Sequence, residues 1–219
     1  MADLMEGMMP AKNTKTVPAR TKAEQVMALD QKKLIKILKD SKSDDFARAK
    51  ACQRLAVIGT KETVPALSAL LADPKMAHYA RFGLEPIPDA SVDDSLRRAL
   101  GQFTGRLRVG AINSIGYRRD PKAVALLARY LDDSDAEVAA AAAAALGRIG
   151  TPESAKELEK ALDYTKNVAG ACLECAERLL SQGRKEPARA LYGALSRRSD
   201  LPEAVRAGAM RGQELSIDE

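Results

Sequence analysis

A single histidine, His78, and a Cys-x-x-Cys pair, Cys172 and Cys175, are the residues whose types and spacing could do chemistry. One histidine cannot build a histidine-based triad or a multi-histidine metal site. It stands in MAHYARFGLE with Tyr79, Arg81, Phe82 and Glu85, where Arg81 and Glu85 have the i, i+4 spacing of a helical ion pair. The cysteine pair would suit redox or metal chemistry. It lies instead inside the helical pattern AGACLECAERLL, with no second such pair and no histidine nearby. Positions i and i+3 of a helix share a face, so the two thiols read as small buried side chains. The sequence has no Gly-rich phosphate loop, serine-hydrolase elbow, zinc-protease motif or haem-attachment motif. Neither a catalytic set nor a metal or cofactor set is read from it.

Basic residues concentrate at Arg97, Arg98, Arg106, Arg108, Arg118 and Arg119, with Phe103 and Tyr117 among them. Such a patch could follow a phosphate backbone by charge. Aspartates at 93, 94, 120, 132, 133 and 135 dilute it. Over the whole chain, 35 basic and 30 acidic residues leave a net charge of +5, which reads as a mixed solvated surface.

Composition sets the class of fold that must position these groups. The 219 residues are 46 % hydrophobic but only 4 % aromatic, with no tryptophan. That balance favours close-packed helices over a β-sandwich. The densest stretch is AEVAAAAAAALGRIG, Ala136 to Gly150, with seven consecutive alanines. Alanine is the strongest helix former, and a helix coated in methyl groups suits a place where neighbours press close on more than one side. No apolar run reaches the length of a membrane span. The three cysteines, Cys52 included, form no disulfide framework. MADLMEGMMPAKNTK lacks the apolar centre of a signal peptide. As given, the sequence therefore reads as cytoplasmic, or as exported if it is a processed form.

Helical segments alternate with short turns from residue 21 onward. Asp30, Asp44 or Asp45, and Asp135 are placed to cap helices, and Ser91 or Asp93 is the expected cap of DSLRRALGQF. Pro86 and Pro88 hold EPIPDASVDD extended, which tightens that turn and shortens the helix after it. The strings SIGYRRDPKAVALLARYLDD and ALGRIGTPESAKELEKALDY superpose at an offset of 31, with Gly116 on Gly147 and Pro121 on Pro152. Turn positions fall near Gly59, Pro88, Arg119, Gly150 and Gly183, about one repeat apart each time. Near-equal helix pairs of this period build an α-solenoid. First helices would form the convex layer and second helices the concave one.

The aspartate before each second helix (Asp44, Asp73, Asp135), the small-residue core of that helix and its Leu/Ile-Gly ending resemble HEAT repeats. The likeness is to the short bacterial kind found also in phycobilin lyases. The segment MAHYARFGLEPIPDASVDDSLRRALG is similar to uncharacterised planctomycete-type HEAT-repeat proteins. The resemblance covers about residues 30 to 215. It implies an all-α, right-handed α-α superhelix of about five helix pairs. The usual arginine near the start of the second helix is present at Arg48 and Arg108 and replaced by Ala77 and Ala139.

The expected organisation is a flexible arm over 1–20, a solenoid over 21–215 and a tail over 216–219. The expected function is a non-catalytic scaffold binding another protein along its concave surface, with Arg48, His78, Arg81, Arg108 and Arg118 as contacts. A nucleic-acid-binding solenoid using residues 97–119 is the alternative, and chromophore attachment is a remote one that the lyase likeness implies. No membrane partner is expected. The last segment, PEAVRAGAMRG, looks like an uncapped inner helix, which fits either a piece of a longer array or self-association through that end.

Overall fold

The computed structural model describes residues 21–217. The expected arm, 1–20, and the last two residues of the expected tail lie outside the described residues. Thirteen α-helices and no strands make up the described chain. Helix α1 (Lys22–Met27) precedes six helix pairs: α2 (Gln31–Lys39) with α3 (Asp45–Ile58), α4 (Val64–Ser68) with α5 (Ala77–Leu84), α6 (Ala90–Gln102) with α7 (Gly105–Arg118), α8 (Val124–Ala128) with α9 (Ala136–Ile149), α10 (Pro152–Ala161) with α11 (Ala169–Ser181), and α12 (Lys185–Ser196) with α13 (Glu203–Leu215).

The helices begin where side chains satisfy free backbone N–H groups. Thr21 and Glu24 form a reciprocal capping box on α1. The carboxylates of Asp30, Asp44 and Asp135 accept from Lys33 N, Ala47 N and Glu137 N at the starts of α2, α3 and α9. Pro152 occupies the first position of α10, where its missing N–H is harmless. One expectation is corrected. The cap of α6 is Asp89, which accepts from Ser91 N, so the helix starts at Ala90 and is not shortened. The extended segment is only the few residues after α5, because Pro88 bars a helix through itself but not one that starts just beyond it.

Successive second helices (α3, α5, α7, α9, α11, α13) pack on one another along the whole chain, whereas neighbouring first helices meet more sparingly, α6 and α8 least. The tighter layer is the inside of a curve. A continuous apolar core between the two layers runs from Val26 to Ala209. The inner layer closes through its smallest residues. A Cβ on Gly116 of α7 would stand 2.8 and 2.9 Å from Ala145 Cα and Cβ, and one on Gly147 would stand 2.8 Å from Ala171 O of α11. The alanine helix α9 is thus pressed from both sides, as its methyl-coated surface predicts. Ala142 is fully buried and Ala140 opens to the groove.

The cysteines are core residues. Cys52, Cys172 and Cys175 are buried free thiols, and burial pushes each pKa from 9.0 up to about 12. Among the described residues no group of His, Cys, Asp and Glu is placed to hold a metal ion, and no helix is long and apolar enough to cross a membrane. The folded chain is expected to resist a thiol-specific reagent at pH 8 and to react at all three cysteines only when urea unfolds it. Fast labelling of the native chain would contradict the burial. Because the folded thiols keep protons that the unfolded thiols lose above about pH 9, this contribution to stability is intact below that pH and fades as pH rises towards 12.

Candidate functional site

The inner helices carry a concentration of apolar side chains that the core does not cover. Val57 on α3 is 73 % exposed, Phe82 on α5 50 % and Tyr117 on α7 64 %, and Phe46 at the start of α3 is also exposed. Their register explains the exposure. Helices α3, α5, α7 and α9 align at about the repeat offset, and positions 53, 82, 113 and 144, then 57, 86, 117 and 148, turn away from the core in each rung. Where α9 fills these positions with Ala144 and Arg148, the earlier rungs present Phe82, Val57 and Tyr117.

The five expected contact residues do not form one site. Arg48 donates to Asp40 O at 2.8 Å, bracing the turn between α2 and α3. Arg108 does the same two pairs further on, between α6 and α7. It donates to Phe103 O at 2.7 Å, meets Asp133 at 3.3 Å and lies over the Tyr130 ring at 5.0 Å. The arginine at the start of a second helix is therefore a turn brace in both places. Arg118 lies ten residues along α7 from Arg108, about 15 Å away by helical rise. Its guanidinium donates to Glu85 O (2.8 Å), Ile87 O (2.7 Å) and Asp89 O (3.3 Å) and grips the Asp93 carboxylate at 2.5 and 3.0 Å. It fastens the proline segment to α7.

His78 and Arg81 share α5. His78 is exposed with its ring edge-on to Tyr79 at 5.5 Å. Arg81 is half-buried, and its guanidinium lies where a Cβ on Gly110 of α7 would be. Burial lowers its pKa, and the nearby Glu85 carboxylate opposes that shift. Glu85 in turn accepts from the Ser114 hydroxyl at 2.6 Å, tying α5 to α7. In the basic segment, Arg97 pairs with Asp94 and Asp120, Arg98 donates to Ser95 Oγ at 3.1 Å, and Arg106 and Arg119 are exposed.

A further constellation sits at the C-terminal ends of the inner helices. Gly116, Tyr117, Arg119, Arg148, Glu174 and Arg178 line an open hollow of about 420 Å³ reaching across α7, α9 and α11. Arg178 and Glu174 lie 3.9 Å apart, and the Arg178 Nε is buried without a partner. The guanidinium groups of Arg119 and Arg148 have no hydrogen bond or ion pair among the described residues.

The HEAT-repeat family model matches residues 94–177. That segment consists of HEAT repeats. Solved structures of the same architecture extend the likeness over most of its length. An engineered protein is 20 % identical with a TM-score of 0.54, covering 86 % of this chain and 96 % of that one. A designed armadillo repeat protein is 18 % identical with a TM-score of 0.52, covering 86 % of this chain and all of that one. A second designed armadillo repeat protein, solved with the peptide (KR)4, is 18 % identical with a TM-score of 0.54 over the same shares. At these identities the likeness is one of fold. No curated protein matches the sequence.

Within the array, Arg148 and Arg178 escaped sequence reasoning, and the repeat register held the signal for Arg148. An offset of 31 places Arg148 on Tyr117, and Arg119 on Gly150. Arg119 takes the left-handed conformation, φ 55° and ψ 45°, which Gly150 takes at φ 62° and ψ 43° one repeat later. The turn is a Schellman closure, with Arg119 N bonded to Gly116 O at 3.2 Å and Asp120 N to Ile115 O at 3.3 Å. A Cβ in this conformation crowds the backbone. Arg119→Gly is expected to raise stability by about 1 kcal/mol, read as a higher urea midpoint at unchanged slope. A lower midpoint would show that the arginine side chain supports the fold.

Proposed function

We propose that this HEAT array is a non-catalytic scaffold that binds an extended segment of another protein along its inner layer. One observation carries the proposal: Phe46, Val57, Phe82 and Tyr117, large apolar side chains left open to solvent, all stand on inner helices of the first three pairs. Apolar side chains gathered on one face mark interaction surfaces, and stacked helices offer a long concave one. The array's likeness to a designed armadillo protein solved with a bound peptide supports the same use of the groove. The site contains no paired acid, base and nucleophile that would assign a reaction to it.

A photo-crosslinking residue at position 82 or 117 is expected to capture a protein partner in the native host. One at Lys156, on the outer helix α10, is expected not to. Equal capture from both faces, or reproducible turnover by the isolated chain, would overturn the proposal.

The nucleic-acid alternative has less support. Of the six arginines it would use, Arg97, Arg108 and Arg118 face aspartates, so their charge is already answered. It predicts affinity for single or double strands that falls steeply with salt. Self-association through α13 is a further proposal, motivated by exposed Met210 and Leu215 on that helix and Ile217 just after it. Sedimentation velocity at two concentrations tests it.

A further inference from the structure

We infer that the segment bound in the groove is acidic, with carboxylates seated among Arg119, Arg148 and Arg178 and apolar side chains lying on Phe82 and Val57. This rests on the groove reading above and gives the partner its chemistry.

The hollow beside Tyr117 draws its walls from three successive inner helices and one turn between pairs. An occupant touching all of them must run along the array. Three guanidinium groups face it against one carboxylate, Glu174, so its charge is positive. Its arginines differ from their neighbours in sequence. Arg97, Arg108 and Arg118 are matched by aspartates, whereas Arg119 and Arg148 have no partner among the described residues. Arg119 also holds a backbone conformation that glycine fills one repeat later. Planar guanidinium forks match carboxylates in two-point hydrogen bonds. The helix C-termini ending here carry partial negative charge. The attraction must come from the side chains, which makes it sensitive to salt.

Geometry sets the spacing of the occupant. Adjoining inner helices lie about 10 Å apart, and an extended chain advances about 3.3 Å per residue, so one repeat spans about three residues. Phe82 is one rung from Tyr117 and Val57 is two. The acidic residues should therefore be followed or preceded by apolar ones about three and six positions away. A peptide fits this alternation better than a nucleic acid, whose evenly spaced phosphates need a continuous basic track. On one side of the hollow the groove turns apolar at Phe82 and Val57, and on the other Glu177 is exposed.

The test is selection of random dodecapeptides displayed on phage against the immobilised full chain, followed by anisotropy titration of the labelled winners. Selected peptides are expected to carry paired Asp or Glu with apolar residues at the stated spacing. Their affinity should fall at least tenfold in the Arg119→Gly, Arg148→Gln double variant and stay unchanged in Lys156→Gln. Circular dichroism of the double variant should show a folded chain. Winners without acidic enrichment that are nevertheless lost on Phe82→Ser would overturn this inference and leave the groove reading standing. Acidic winners indifferent to the double variant would overturn it too. No enriched peptide at all would remove the groove reading with it. Displacement of the peptide by an equal or lower concentration of a deoxythymidine dodecamer would assign the hollow to nucleic acid.

Discussion

Arg118→Met is expected to lower the stability of the array by about 3 kcal/mol. The side chain is 11 % exposed and its partner Asp93 21 %. Removing the guanidinium leaves that carboxylate half in the protein without its counter-charge. It also strips the hydrogen bonds that Glu85 O, Ile87 O and Asp89 O accept from it. Those three carbonyls alternate along a segment that Pro86 and Pro88 keep out of a helix, so no helical ladder can take over the fastening role. Hydrogen bonds to a charged group contribute about 1.5–3 kcal/mol in favourable settings, and loss of one partner of a buried pair costs about 3–5 kcal/mol. The partial exposure puts the expectation at the low end. Methionine keeps the length and the apolar contacts, so the change isolates the charge and its hydrogen bonds. Arg118→Lys should fall between the two, because a lysine cannot reach three carbonyls and a carboxylate with one fork. Urea titration followed at a helical circular-dichroism band reads the effect. A loss under about 1 kcal/mol would mean that the segment is held by something other than Arg118.

Ala142→Leu is expected to cost about 1–3 kcal/mol, while Ala140→Leu, two residues away, changes stability by less than about 0.5 kcal/mol. Helix α9 has no room on its packed sides. Ala142 is fully buried, Ala145 stands against Gly116 of α7, and Gly147 stands against Ala171 of α11. A leucine at 142 must enlarge a rung whose side chain is already fully enclosed and whose helix is pressed by its neighbours on both sides. At 140 the same side chain enters the open groove. Thermal melts of the two variants side by side decide it. Equal effects would show that the rung is looser than its packing implies.

These two sites differ in how far they can be read from sequence. The squeeze on α9 was legible, because seven adjacent alanines have one physical use and the 31-residue register shows what stacks on them. The cap of α6 was not. Asp89, Ser91 and Asp93 all have capping side chains, and only the position of the backbone beyond Pro88 selects the first. Arg118 read as a groove contact because a basic residue on an inner helix is also what a binding face would show. Its actual role depends on a segment folded back from the preceding repeat.

The sequence by itself determined the class of fold, the repeat period, the inner and outer layers and the structural nature of the cysteines. Those properties come from residue types and spacings within one or two helices, where hydrophobic periodicity and turn chemistry act locally. Only the tertiary structure decided which arginines are held and which are open. The distant partners of Arg97, Arg108 and Arg118 lie 23, 25 and 25 to 33 residues away in sequence, on other helices or in the turns between them. Arg119 and Arg148 line one hollow from successive rungs, but neither is paired with a carboxylate among the described residues. A charge is answered or left open by distance in space, and linear order does not give that distance until the rungs are stacked.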